Sequence, residues 1–173
     1  MTYYDIIQAF FTAGAAHKMI ADVGYGPISD IKTRSQNAKP FVDAEGETEG
    51  VDYPYMFLNP TTSQRTGAAV TYSFNLIMMD MAWQEVPNNL SPTDLTVSRY
   101  TNEAQVQSQC QQDIDDIVGH MYHNTGLKAE ISMDMQYTPF VERFQDSVAG
   151  MTAQIKITVP QAIDDCIAPF EWQ

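Results

Sequence analysis

Apolar residues recur with helical spacing in two segments of the chain. In the first, Thr2-Tyr-Tyr-Asp5 has the spacing of a capping box, with Asp in place of the usual Glu, and precedes apolar positions three and four residues apart. This pattern predicts a helix over residues 2–16. In the second, Asn102 suits an N-cap and Asn124-Thr-Gly126 supplies a C-terminal stop, which predicts a helix between them. Its apolar stripe consists of Cys110, Ile114, Ile117, Val118, Met121 and Tyr122.

Alternation of apolar and polar residues predicts two strands, over residues 127–137 and 151–159, each with one buried face. Residues 53–60 are aromatic and bounded by prolines, which favours an edge strand or a strand end. Residues 18–25 predict a short strand at best, because Gly24-Tyr-Gly-Pro27 marks a turn.

A further long strand is predicted over residues 70–83. Its apolar positions change parity after Leu76, which a bulge or burial of both faces would explain. Met78, Met79 and Met81 cannot all face one side of a sheet, so we expect at least one of them to meet a neighbouring subunit.

The order of these elements favours the α+β class. Hairpins are segregated from the two helices and no repeating βαβ unit occurs, so we expect an antiparallel sheet of about four strands with two helices on one face, plus extended loops. The length of 173 residues predicts a single domain, 1–173. Its two long loops are expected at about residues 40–52, which are acidic, and at about residues 85–101.

Charge narrows the possible partners. Nine Lys and Arg residues against 22 Asp and Glu give a formal net charge of −13. This excess disfavours binding to nucleic acid or to an anionic membrane. No apolar run approaches the roughly 20 residues that span a bilayer, and no secretory signal pattern opens the chain. We therefore expect a soluble protein that is not exported by that route.

The cysteine content excludes a disulfide scaffold. Cys110 and Cys166 are the two cysteines of the chain, and whether they pair stays open. No nucleophile elbow, dinucleotide fingerprint or phosphate loop is present. We expect no catalytic residue, no enzyme activity and no cofactor.

One alternative is a small metal-binding module or a metal-dependent hydrolase. Asp116, His120 and His123 share one flank of the second helix, with Asp113 one turn earlier, and this spacing permits a divalent ion. The His-Glu-x-x-His signature is absent, His17 is distant in sequence, and acids beside histidines are common on polar helix faces. The principal expectation is therefore that the protein has no metal site.

Several strings of residues together resemble a known family. They are Tyr53-Pro-Tyr-Met-Phe-Leu-Asn-Pro60, Val70-Thr-Tyr-Ser-Phe-Asn-Leu-Ile-Met-Met-Asp-Met, Thr138-Pro-Phe, Phe144, Asp146-Ser-Val-Ala-Gly150 and the strand 151–159. Their order resembles the neck and tail-completion proteins of tailed bacteriophages, particularly tail-terminator-like ring subunits. The resemblance implies a helix-and-hairpin α+β domain that forms a homo-oligomeric ring between capsid and tail, a structural role in the virion, and synthesis in the host cytoplasm.

A ring around the DNA channel implies particular surfaces. Negative charge facing the channel would repel phosphates, so DNA would pass without specific binding, and the neighbours would be other neck and tail proteins rather than a membrane. The candidates for a channel-facing or partner loop are Asp43, Glu45, Glu47 and Glu49. The candidates for subunit contact are Lys128, Glu130, Asp134, Thr152, Gln154, Lys156 and Thr158.

A third hypothesis is a soluble adaptor. A partner peptide would then add as a strand at the edge formed by residues 53–60, and the protein would stay monomeric.

Overall fold

The computed structural model describes residues 2–31, 52–82, 99–124, 128–142 and 148–160. These ranges contain two α-helices, one 3-10 turn at Ile28–Asp30 and six strands. In chain order the helices and strands are α1 (Tyr3–Ala16), β1 (Asp22–Tyr25), β2 (Tyr55–Thr66), β3 (Ala69–Met81), α2 (Arg99–Asn124), β4 (Glu130–Ile131), β5 (Gln136–Glu142) and β6 (Val148–Pro160).

The six strands form one mixed sheet in the order β1-β2-β3-β6, with β4 and β5 both paired to the far side of β6. All pairs are antiparallel except β1 with β2, which are parallel. The α+β class is confirmed, but the expected four antiparallel strands are six with one parallel pair. Strand β1 lies in the stretch 18–25 that was predicted as a short strand at best, and the strand predicted over 127–137 is divided into β4 and β5.

The first helix forms as its capping box predicts. Thr2 Oγ1 accepts a hydrogen bond from Asp5 N at 3.3 Å, and Asp5 Oδ2 accepts one from Thr2 N at 2.6 Å. These bonds hold the pKa of the Asp5 carboxyl below its usual value. The second helix begins at Arg99, three residues before the predicted N-cap, and ends at Asn124. Residues 99–101, which were expected to belong to the loop 85–101, therefore belong to α2. The remaining residues 85–98 lie outside the described ranges.

Both helices pack on one face of the sheet, as expected. The apolar stripe of α2 is buried there, apart from the exposed Tyr122, and packs with Ile6, Ile7 and Phe10 of α1. The sheet contributes alternate residues, the pattern expected of a strand with one face in the core. From β6 these are Met151, Ala153, Ile155, Ile157 and Val159, all of which are buried.

The parity change in β3 reflects burial of both faces. Leu76 and Met78 lie in the core beneath the helices, whereas Ile77 and Met79 lie on the opposite face in a second apolar cluster with Tyr55 and Phe57. The register of β3 with β6 is unbroken, and the bulge of this sheet falls in β2, between Pro60 and Thr62. Met78 and Met79 are buried within their own chain, so of the three methionines the partly exposed Met81 is left for the expected contact with a neighbouring subunit.

Two strand predictions need correction. Residues 53–60 do not form an edge, because β1 pairs with β2 over Tyr55–Leu58. The predicted strand 127–137 is interrupted between β4 and β5. Ile131 pairs with Ile157 and Gln136 with Gln154, so this chain advances five residues while β6 advances three. The alternation of apolar and polar residues indicates which face each side chain lies on. It does not indicate whether the backbone is hydrogen-bonded to the next strand, so the pattern did not reveal the interruption.

Gly150 lies where neighbouring strands approach each other closely, and it gives a test of the fold. A Cβ at Gly150 would overlap the Met78 carbonyl oxygen and lie 2.5 Å from Phe140 Cζ, whereas a Cβ at Gly119 would have no atom within 4 Å. We expect Gly150→Ala to lower the free energy of unfolding by about 1 to 3 kcal/mol. Gly119→Ala, inside α2, should raise it by up to about 1 kcal/mol. Urea denaturation measures both, and equal effects would contradict this packing.

Candidate functional site

A cluster of three metal-capable side chains lies where the end of α1 meets α2. Helix α1 stops at Ala16, and its C-cap His17 has extended backbone and donates its N–H to the Gly14 carbonyl at 3.1 Å. This turn places His17 Nε2 3.6 Å from Asp116 Oδ2 of α2. One potential ligand atom from each of His17, Asp113 and Asp116 lies within 4.8 Å of the other two. These three residues are called the His17 cluster below.

The members of the His17 cluster differ sharply in exposure. The side chain of Asp116 is 58% exposed and that of His17 19% exposed, whereas Asp113 is only 2% exposed. Gln109 Nε2, one turn earlier on α2, donates to Asp113 Oδ1 at 2.9 Å. The imidazole Nδ1 of His17 accepts a long hydrogen bond of 3.4 Å from the backbone N–H of Met19. The cluster therefore runs from solvent at Asp116 to the core at Asp113.

The charge of Asp113 influences two neighbouring groups on the same side of the sheet. Burial raises the pKa of the half-buried Asp80 carboxyl of β3, and the negative charge of Asp113 adds to this rise, while the N–H of Met81 opposes it. Burial also raises the pKa of the Cys110 thiol to about 12, with further contributions from Asp113 and Asp80. Cys110 is thus a buried, protonated thiol, which is a poor nucleophile. Cys166 lies outside the described residues, so the question of a disulfide stays open.

The metal alternative from the sequence shares Asp116 and the neighbouring Asp113 with the His17 cluster, but it named two other histidines. Of Asp116, His120 and His123, only Asp116 belongs to the cluster. His120 and His123 are exposed, and within the described ranges no group of three such ligands includes either of them. The ring of His123 instead packs edge-on against Tyr122 at a centroid distance of 5.0 Å. Local spacing on α2 could not reveal His17, because its approach depends on how the two helices pack.

The face of the sheet away from the helices, called the open face below, carries a polar region. Asn75 of β3, Gln154 of β6 and Gln136 of β5 lie side by side in register there. Together with Thr138 and Thr152 they line a shallow depression of about 320 Å³. The hydroxyl oxygens of Thr71 and Thr158 lie 3.0 Å apart at one side of it. This region therefore offers many hydrogen-bonding groups to a partner surface.

The structure brings most of the predicted contact residues to this region. Thr152, Gln154, Lys156 and Thr158 share the open face of β6, where Gln154 and Lys156 are exposed. Glu130 pairs with Thr158, and Lys128 and Asp134 are exposed close to it in sequence. The predicted channel residues Asp43, Glu45, Glu47 and Glu49 lie outside the described ranges.

The sheet has two open sides. On one side, β1 pairs with β2 over Tyr55–Leu58, and no described strand pairs with the outer side of residues 61–66, which are all exposed. On the other side, β5 pairs with β6 alone among the described strands, and its position is held from α2. Gln107 Nε2 donates to the Phe140 carbonyl at 3.2 Å, and the Tyr137 hydroxyl donates to Asp115. Because β1 already occupies the Tyr55–Leu58 edge, the adaptor hypothesis loses its proposed binding site.

No protein-family model matches the chain, and no curated protein matches it. Among the described helices, none has both the length and the apolar character needed to cross a membrane.

The raised pKa of Asp80 gives a pH-dependent prediction. A raised folded-state pKa means that ionisation of Asp80 opposes folding at pH 7, and that this cost disappears as the pH falls through the folded pKa. We expect Asp80→Asn to raise the urea midpoint at pH 7, because the amide oxygen can still accept from Met81 N. The gain should shrink toward zero as the pH approaches the ordinary Asp value.

Asp22→Asn is the matched control for this measurement. Asp22 Oδ1 accepts from the next backbone N–H, that of Val23, at 2.7 Å, as Asp80 Oδ1 does from Met81 N. Each substitution removes one negative charge, so a general effect of net charge would appear in both. Unfolding is followed with a chelator present. A gain at pH 7 that is equal in the two variants would contradict a specific cost at Asp80.

Proposed function

We propose that this protein is a structural subunit of a ring in the neck or tail of a tailed bacteriophage, acting as a tail terminator or head-tail connector. Its role is to join capsid and tail around the DNA channel, and it is structural rather than catalytic. Two features support the proposal: the sequence resemblance to such ring subunits and the α+β fold with its two open sheet sides. The second feature is the observation that carries the argument.

A closed ring of identical subunits requires two surfaces that differ and complement each other. Each subunit contacts the next head to tail, so one surface of the chain meets a different surface of its neighbour. The outer side of β2 at residues 61–66 and the β4–β5 side lie at opposite ends of this sheet. Strand edges with unpaired backbone groups are templates for pairing with another chain. The two sides therefore have the arrangement that a ring contact needs.

The composition of these surfaces suits contacts between subunits that fold separately before they assemble. Residues 61–66 read Thr-Thr-Ser-Gln-Arg-Thr, which is polar and exposed. The opposite side presents Lys128, Glu130 and Asp134, next to the polar part of the open face with Gln154 and Lys156. Interfaces of this kind form through hydrogen bonds and bridging water rather than through a large apolar patch. The free subunit would then stay in solution until its neighbour arrives.

The core holds each subunit in one shape, so that every subunit of a ring can make the same contact with its neighbour. Strands β3 and β6 pair over their whole length beneath two helices, and hydrogen bonds from Gln107 and Tyr137 fix β5 relative to α2. A rigid subunit presents both sides at a constant angle, which ring closure demands. The overall charge of −13 fits a channel through which DNA passes without being held. The acidic segment Asp43 to Glu49 is the proposed lining or partner loop, and adjacent neck and tail proteins are the proposed partners.

The experiment is a measurement of molar mass by light scattering over a range of protein and salt concentrations, with electron microscopy of negatively stained particles. We expect a discrete closed multimer with a central opening. Thr62→Lys with Gln64→Lys should shift it toward monomer, because edge lysines obstruct strand pairing and both positions are exposed.

Gln105→Lys with Gln112→Lys is the matched control. It makes the same change of charge on exposed positions of α2, away from the helix face that contacts β5, and should leave the multimer intact. A monomer at every concentration, or a multimer that resists the β2 substitutions, would contradict the proposed contact.

A further inference from the structure

We propose that His17, Asp113 and Asp116 bind one divalent first-row transition-metal cation, such as Zn²⁺, between the end of α1 and the middle of α2. The inference is independent of the ring proposal, because the His17 cluster lies on the helix side of the sheet and the proposed subunit contacts involve its edges and open face.

The distances in the cluster match those between ligands of one small ion. His17 Nε2 and Asp116 Oδ2 are 3.6 Å apart, which is too long for a hydrogen bond. Two ligands of a tetrahedral ion with bonds of about 2.0 to 2.1 Å lie roughly 3.4 Å apart. The three candidate ligand atoms all fall within 4.8 Å of one another, so small side-chain rotations would bring them to bonding distance. One imidazole nitrogen and two carboxylates are a donor set that Zn²⁺ and its neighbours in the first row accept.

The burial of Asp113 is an independent indication of a cation. At 2% exposure, an ionised carboxylate loses most of its hydration and requires compensation by charge or hydrogen bonds. Its hydrogen bond within the described chain comes from the amide of Gln109, which carries no charge. A cation held between Asp113, Asp116 and His17 would supply a positive charge beside this carboxylate.

The position of His17 favours a cation as well. It is the C-cap of α1, where the helix carries partial negative charge from its last carbonyl groups. Coordination through Nε2 places the imidazole proton on Nδ1. Binding therefore costs the long 3.4 Å hydrogen bond in which Nδ1 accepts from Met19 N, a weak interaction that the bonds to the ion must exceed. The exposed side of Asp116 leaves access from solvent.

The consequence of binding is a link between two helices far apart in sequence. His17 ends α1 and Asp113 lies in the middle of α2, so an ion that both residues bind would join the two elements that cover the core. Because the ligand set is assembled by folding, the ion would stabilise the folded chain. Its role is structural.

The test uses the full chain without a histidine tag, stripped with a chelator and dialysed. Zn²⁺ is titrated by calorimetry, and Co²⁺ serves as a spectroscopic probe of the same site. We expect one ion per chain, a visible Co²⁺ absorption band that Zn²⁺ abolishes, and a melting temperature raised by about 5 °C or more at a hundredfold excess over Kd.

Three variants locate the ion. His17→Gln and Asp116→Asn should each weaken Zn²⁺ binding about tenfold or more and reduce the Co²⁺ band. Both side chains reach solvent and both replacements are close in size, so the apo fold should be retained, which circular dichroism checks. His123→Gln is the matched control on α2 and should bind as the unaltered chain does.

Other outcomes would overturn the assignment. Absence of binding by the unaltered chain excludes the site. Full binding by His17→Gln and Asp116→Asn places the ion elsewhere. Loss of binding in His123→Gln would favour a site formed by Asp116, His120 and His123 on α2. The molar mass measurement is separate, so failure of either proposal leaves the other open to its own test.

Discussion

The pairing of β3 with β6 is the interaction on which the rest of this structure depends. Each strand has 13 residues, and their register is continuous from Ala69 with Pro160 to Met81 with Val148. On one side β2 and then β1 add to this ladder, and on the other side β4 and β5 do. The ladder also provides the apolar floor for both helices. Near one end of this ladder, the Met78 carbonyl oxygen and the Phe140 ring lie so close to position 150 that it has room only for glycine.

Burial on both faces explains why β3 occupies the middle of the sheet. Leu76 and Met78 meet the helices, while Ile77 and Met79 meet Tyr55 and Phe57 on the open face. A strand with two apolar faces would expose more apolar surface to water at an edge of the sheet than in its middle. The central position therefore gives β3 the greater hydrophobic stabilisation. The open face consequently has an apolar part near Met79 and a polar part near Asn75 and Gln154, and the polar part is the one left for contact with other molecules.

The His17 cluster and the open face are consequences of the same layer arrangement. Because both helices lie on one face, the C-terminal end of α1 is brought against the middle of α2, and Asp113 is buried at the margin of the core. Among the described residues, the polar part of the opposite face and the outer strand edges stay accessible. A cation site on one side and an assembly surface on the other can therefore coexist without sharing residues.

Much of this arrangement follows from the sequence by itself. The capping box at Thr2 and Asp5, the apolar stripe of α2 and the alternation in β6 are local signals, and each predicts its element because the period of the backbone selects which side chains share a face. The same signals predicted the α+β class and the placement of both helices on one face. They also identified Asp116 and the polar residues of β6 that share the open face.

Tertiary structure alone decided the remaining features. The short strand expected over residues 18–25 gave no indication of its partner, and the parallel pairing of β1 with β2 is a tertiary feature. Apolar and polar residues alternate without a break from 127 to 137, but the backbone pairing with β6 is interrupted between β4 and β5. The direction of a side chain and the pairing of the backbone are separate properties. The sequence places Asp113 on α2 one turn before Asp116, but the histidine beside them is not one of those expected along that helix. His17 lies almost a hundred residues away in the chain, and only the packing of α1 beside α2 brings its imidazole to the two carboxylates.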